Sequence, residues 1–195
     1  MNDPAKAWEE FLDPTILRPK LISASLFLAA YEILKDSVID RIKSFYFIGF
    51  DESGWKIDPK YKSDVLSRNT SPLYASLGWL QENDAIAESD ISTFDKIRNC
   101  RNSLAHELAK ITTGTMASDH IALFAELVAL LRKIETWWIV NVEIPLNEDF
   151  ADVEIDVEGI VPGPVITVQL MLNIALGSDT EAAQYLDAYR SARKS

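Results

Sequence analysis

Apolar residues recur along much of this chain at alternating steps of three and four, and that spacing constrains the fold more than any other feature. Leu21, Ala24, Leu28, Tyr31, Leu34, Val38, Ile42 and Phe45 form one such stripe. Side chains three and four apart share a face of an α-helix, whereas a half-buried strand needs strict alternation. The stripe predicts a helix from about Lys20 to Phe45. Only seven glycines and eight prolines interrupt the 195 residues, and no segment repeats. The expected fold class is therefore mainly all-α.

The remaining elements follow from the same patterns and from turn chemistry. Ala5 to Leu12 reads as a short leading helix, with a break expected at Pro14 and Pro19. Residues 49–70 read as a long loop, marked by Asp51-Glu52-Ser53-Gly54 and Asp58-Pro59, with a turn of helix near 61–67. Ser71-Pro72 starts a helix to about Gln81, because serine caps free amides and proline needs none at the first helical position. Ser92 opens the next helix, whose seam is Phe94, Ile97, Leu104, Leu108 and Ile111 and whose stop is Gly114. Ser118 then caps a largely apolar helix to about Val142.

Past Pro145 the composition changes. Residues 143–158 hold seven acidic side chains and no lysine or arginine, and Val153, Ile155 and Val157 alternate with Glu154, Asp156 and Glu158. That alternation predicts a strand or an extended arm. Pro162-Gly163-Pro164 is a turn, followed by helices over 165–176 and 180–192, the second capped by Ser178 or Asp179. The expected organisation is one domain over 1–195: a helical core at 20–142, an acidic extended segment at 143–163, and C-terminal helices at 164–195.

Thirty acidic against 19 basic residues give a formal charge of −11, which argues against a broad basic nucleic-acid face. The local distribution modifies that conclusion. Segment 143–158 supplies −7 of the charge and leaves −4 elsewhere, while Ser92–Ile111 has four basic residues against two acidic ones. A narrow, locally basic cleft remains compatible with RNA.

Apolar runs such as 21–34 and 121–131 fall short of the ~20 residues that a spanning helix needs, so no membrane segment is expected. Met1–Glu10 is acidic where a secretory signal is basic, which makes a cytoplasmic location the expectation. One cysteine, Cys100, and two histidines do not make a disulfide framework or a structural zinc site. Neither a metal nor a cofactor is expected. Acidic residues 152–158 have the odd spacing of a calcium loop, but Val157 stands where glycine is required and Gly163 where the bidentate glutamate belongs. His120, early in its helix, reads as neutral and structural, and Trp137-Trp138 as packing residues.

The stretch with chemical content is Phe94 to Leu108. Its seam positions 94, 97, 101, 104, 108 and 111 put Arg101 where an apolar residue is called for. A guanidinium there either snorkels from the edge of the stripe or needs a partner. Arg98, Asn102 and His106 follow at four-residue steps and stack as a polar ridge on the flank of the helix. Arg101 and His106 lie about 140° apart around an ideal helix and about 7.5 Å along it. One copy does not converge them, but two copies about a twofold axis can.

Arg101-Asn102-Ser103-Leu104-Ala105-His106 resembles the R-N-x-x-x-H signature of the HEPN superfamily (higher eukaryote and prokaryote nucleotide-binding domains). The apolar lead-in and the helix carrying Ala29-Ala30-Tyr31-Glu32-Ile33-Leu34 are similar to that family's style, and the resemblance covers about residues 20–140. It implies an antiparallel helical bundle that dimerises and cleaves RNA without a metal. Carried over, Arg101 would hold the scissile phosphate and His106 would act as general acid or base. Asn102 would orient the histidine or a phosphate oxygen, and Arg98 would bind a neighbouring phosphate. The resemblance also implies a toxin or phage-defence role, possible restraint by a nucleotidyltransferase-type antitoxin, and, as the alternative, a non-catalytic HEPN-like module that binds a nucleotide, RNA or protein.

Overall fold

Asp13 separates the first two helices. Its carboxylate accepts hydrogen bonds from the Thr15 amide at 2.8 Å and the Thr15 hydroxyl at 2.7 Å, capping amides that have no partner within the helix. Pro14 takes the first helical position. The computed structural model describes residues 4–52, 54–112, 119–150 and 153–193, and it is mainly all-α. Helix α1 spans Pro4–Leu12 and α2 spans Pro14–Phe45.

Only one of the two expected proline breaks forms. Pro19 lies inside α2, where its fixed φ is already helical and the hydrogen bond it forgoes belongs to the exposed Thr15 carbonyl. The apolar stripe of α2 is also wider than its spacing implied. Ala24, Tyr31, Leu34, Val38 and Ile42 are buried as expected, while Leu21 and Phe45 are exposed and Leu28 is half-buried. Phe27 and Ala30 are fully buried instead, because α2 packs at once against four later helices, α3 (Pro72–Glu82), α4 (Glu88–Thr112), α5 (His120–Trp138) and α6 (Gly163–Leu176), rather than against one neighbour.

After α2 the expected loop contains a β-hairpin, Phe47–Asp51 (β1) with Gly54–Ile57 (β2). The strands are antiparallel with Phe50 opposite Trp55, and a bulge lies between Phe47 and Gly49. Gly49 and Gly54 adopt φ of +144° and +112°, a region that favours glycine. Phe47, Phe50 and Trp55 gather on the ribbon with centroids 4.9–5.8 Å apart. Such cross-strand aromatic contacts support a two-stranded ribbon that has no core face of its own. A π-helical turn at Tyr61–Val65 and a 3-10 turn at Leu66–Arg68 lead to α3, Pro72–Glu82.

Helix α4, Glu88–Thr112, begins four residues before the expected Ser92 start. The Asp90 carboxylate accepts from the Ala87 amide at 2.7 Å, a backward cap at a helix end that also favours the negative charges of Glu88 and Asp90. Phe94, Ile97 and Leu104 are fully buried. The side chains of Leu108 and Ile111, the Gly114 stop and the Ser118 cap lie outside the described residues.

Helix α5, His120–Trp138, runs into a π-helical turn at Ile139–Glu143. Trp138 stacks on Trp79 of α3 at 5.8 Å and 14°. Of the strand or extended arm expected over 153–157, no strand forms: these residues are coil and turn with no strand partner among the described residues. Part of the acidic segment is short helical turn instead, at Glu148–Phe150. Arg132 anchors the coil by donating to the Ile160 carbonyl at 2.9 Å. Helices α6, Gly163–Leu176, and α7, Asp179–Ala192, follow. Val165 and Val168 of α6 join the main core, and Ser178 closes a capping box with Glu181 at the start of α7.

One charged pair sits inside this packing. Glu135 of α5 is 1% exposed, and Arg41 of α2 bridges it to Glu143, at 2.8 and 2.7 Å. Removing the cation would leave a buried carboxylate uncompensated. Arg41→Ala should lower the unfolding free energy by about 3 kcal/mol in urea denaturation. Adding Glu135→Leu should recover most of that loss.

Candidate functional site

Arg98 and Arg101 lie on the side of α4 that meets α3 and α2. Ile97 and Leu104 point into the core and are fully buried, which turns Arg98, Asn102 and His106 along the flank as the spacing implied. Arg98 and Asn102 are half-buried and His106 is exposed.

Arg101 occupies the edge of the seam, and it is paired rather than free. Its Nη2 donates to Glu32 Oε1 of α2 at 2.9 Å, and its guanidinium carbon lies 5.4 Å from the Tyr31 ring centroid. Nη1 reaches Asn102 Oδ1 at 3.5 Å, the outer limit of a hydrogen bond. Nε is buried without a partner, a donor left unsatisfied at a cost of about 1–3 kcal/mol. A flat cation over an aromatic face with one edge bound to a carboxylate has little freedom to turn.

Glu32 is shared. Lys35, one turn further along α2, also donates to its carboxylate. The hydrogen bond from Lys35 first, and that from Arg101 next, hold the Glu32 carboxyl below its ordinary range against the opposing effect of burial. Tyr31 is pushed the other way, because burial raises its phenol and Arg101 only partly offsets this.

A second cation is tethered beside the first. Arg98 Nη1 donates to the Tyr74 hydroxyl of α3 at 3.0 Å, and Tyr74 in turn donates to Asp95. That bond to Asp95, with burial second, raises the Tyr74 phenol. Three cations, Lys35, Arg98 and Arg101, therefore alternate with two carboxylates, Glu32 and Asp95, across one surface.

Arg98, Arg101 and Asn102 share this face, whereas His106 lies about 140° from Arg101 around the helix, and the two make no contact with each other within one copy. Glu32, Tyr31, Lys35, Tyr74 and Asp95 were not anticipated as part of it. Arg101 on an apolar seam either snorkels or takes a counter-charge, and nothing in linear spacing identifies the partner 69 residues away. Asp95, three residues before Arg98 on the same helix, was open to inspection.

His120 lies elsewhere and is 7% exposed. Its Nε2 is 3.0 Å from Ser23 Oγ, and burial pushes its imidazole below the ordinary value, in keeping with a neutral, structural group. Cys100 is half-buried against the core. No cluster of three or more His, Cys, Asp and Glu side chains is arranged to hold a metal among the described residues. No helix among them is long and apolar enough to cross a membrane. No protein-family model, curated protein or solved structure matches this chain.

The Glu32 carboxyl gives this surface a pH signature. Its value in the fold is lowered, so its ionic contribution is complete above the unfolded value and fades as pH falls through the folded one. Thermal melts of the parent should lose stability below about pH 4. Glu32→Gln should show a smaller acid loss and a lower neutral-pH melting temperature, and an identical acid limb would contradict the pairing.

Proposed function

We propose that this chain is an endoribonuclease of HEPN type that needs no metal and whose active site is completed by a second copy. The observation that carries the reading is Arg101 and His106 at motif spacing on one helix, with the guanidinium held over Tyr31 and against Glu32 and the imidazole open to solvent.

The chemistry suits these groups. A ribose 2′-hydroxyl attacks the adjacent phosphorus and gives its proton to one imidazole. The equatorial oxygens gain charge, which a guanidinium can meet with two parallel hydrogen bonds. The bond from phosphorus to the 5′-oxygen breaks, and that oxygen leaves with a proton from an imidazolium. The products are a 2′,3′-cyclic phosphate and a free 5′-hydroxyl. Asn102, against Arg101, is placed to orient the guanidinium or a phosphate oxygen, and Arg98 to take the next phosphate.

A homodimer supports this scheme because one helix separates Arg101 from His106 in angle and height, whereas an isologous contact across α4 brings each near its symmetry mate. A toxin or phage-defence role, with a nucleotidyltransferase-type antitoxin as restraint, belongs to the same reading, as does a cytoplasmic location.

The second reading is a non-catalytic HEPN-like module that binds a nucleotide, RNA or protein. The pairing of Arg101 with Glu32 favours it, since a phosphate must compete with a carboxylate already in place.

The two readings part on one assay. Parent, Arg101→Ala and His106→Ala proteins are incubated with a mixed RNA pool in chelator, and the new ends are analysed. The parent should leave 2′,3′-cyclic phosphates, and each variant should cut at least ~100-fold more slowly. Intact RNA with the parent, or undiminished cleavage by His106→Ala, would sink the catalytic reading. Binding that survives loss of His106 without cleavage would establish the module.

A further inference from the structure

The last two helices leave apolar surface without cover. Val165 and Val168 of α6 are fully buried in the core, and with 3.6 residues per turn Ile166, Leu170 and Ile174 lie on the far side of the helix from them. That far side is open to solvent, with Ile166 44% and Ile174 51% exposed, and α6 carries no charged residue. A surface helix ordinarily turns polar residues outward.

Gly177 and Ser178 turn the chain back into α7, which packs on α6. Asn173 Nδ2 donates to the Tyr185 hydroxyl at 2.7 Å and fixes the side of α7 that faces α6. No residue of α7 is buried and only Ala182 is half-buried, while Leu186 and Tyr189 are 49% and 61% exposed. A helix of 14 residues has little stability of its own.

The charges of α7 identify what covers it. Glu181 is taken up by the capping box with Ser178, which leaves Asp179 at the start of the helix and Arg190 and Arg193 at its end. Neither Asp179 nor Arg190 makes an ion pair among the described residues. By helical spacing Asp179, Leu186, Arg190 and Arg193 fall within about 60° of one another around the axis. Leu186 therefore sits in the middle of a face that is acidic at one end and basic at the other. Laid antiparallel on an identical copy, such a face matches itself: Asp179 of each helix meets Arg190 and Arg193 of the other, and the two helix dipoles oppose.

We propose that α6 and α7 form a self-association face, on which a second copy packs antiparallel about a twofold axis near Tyr185 and Leu186. The Asp179 to Arg190 contact is then made twice between the two α7 helices. The uncharged α6 meets its own symmetry mate, which closes a four-helix layer over Ile166, Leu170, Ile174, Leu186 and Tyr189. Each helix is about 21 Å long and about 10 Å wide, the dimensions of a weak, concentration-dependent pair rather than an obligate one. Neither helix carries the α4 motif, so this contact is separate from the one proposed across α4 and its test does not depend on RNA cleavage.

Sedimentation equilibrium of the full chain and its variants over the micromolar range is the test. At the top of the range Leu186→Glu should have half the mass of the parent, a monomer against a dimer, or a dimer against a tetramer where α4 also pairs. Ile174→Glu should show the same loss from α6 if the first variant fails to fold by circular dichroism. Arg190→Glu sets acid against acid at both ends and should weaken association about tenfold, the scale of two exposed ion pairs. The double variant Asp179→Arg, Arg190→Glu brings opposite charges together again and should recover the parental mass. Equal masses for the parent and a folded glutamate variant of Leu186 or Ile174 would overturn the self-association face. A double variant that stays as weak as Arg190→Glu, with its helicity intact, would overturn the antiparallel pairing.

Discussion

Burial of α2 on several sides at once is the constraint from which the other features descend. Phe27, Ala30, Leu34, Val38 and Ile42 are all 0% exposed, and α3, α4, α5 and α6 each pack on this helix. A fully buried large apolar side chain is worth about 1.5–3 kcal/mol relative to exposure, so no rotation of α2 leaves the rest intact. With α2 held, its flanking residues have fixed addresses. Tyr31 and Glu32 sit beside Arg101 because Leu34 and Ala30 are locked into the core on either side of them.

That arrangement explains why the polar side chains near the core are tethered. Arg101 lies over Tyr31 and against Glu32, Arg98 is held by Tyr74, and Arg41 compensates the buried Glu135. In each case a guanidinium at the edge of an apolar layer meets a partner on a different helix. Such pairs contribute orientation more than net stability, because desolvation offsets much of the attraction. In the proposed phosphate chemistry orientation is what counts, since a guanidinium that must first reorient loses the advantage of being in place.

The same helix also carries Ser23, which meets the buried His120 of α5. Ser23 precedes Glu32 by nine residues, roughly 14 Å along the axis, so two polar regions of different character lie on one rigid element.

Much of the helical plan was legible because period and capping are local. The stripe of α2, the Ser71-Pro72 start of α3, the seam of α4 and the last two helices all follow from residues within a turn of one another. The turn of helix near 61–67 was legible too; the hairpin was not, and of the strand or extended arm expected over 153–157 no strand forms. A strand requires a neighbour for its backbone groups, and Phe47–Asp51 finds one in Gly54–Ile57 while Val153–Val157 finds none among the described residues. The motif Arg101 to His106, and the choice left to Arg101 between snorkelling and a partner, were determined by the sequence alone. That the partner is Glu32, that Lys35 shares it, and that Ser23 meets His120 were decided only by tertiary structure. Interaction energies depend on distance in space, and helix packing alone brings residues 69 or 97 positions apart within 3 Å.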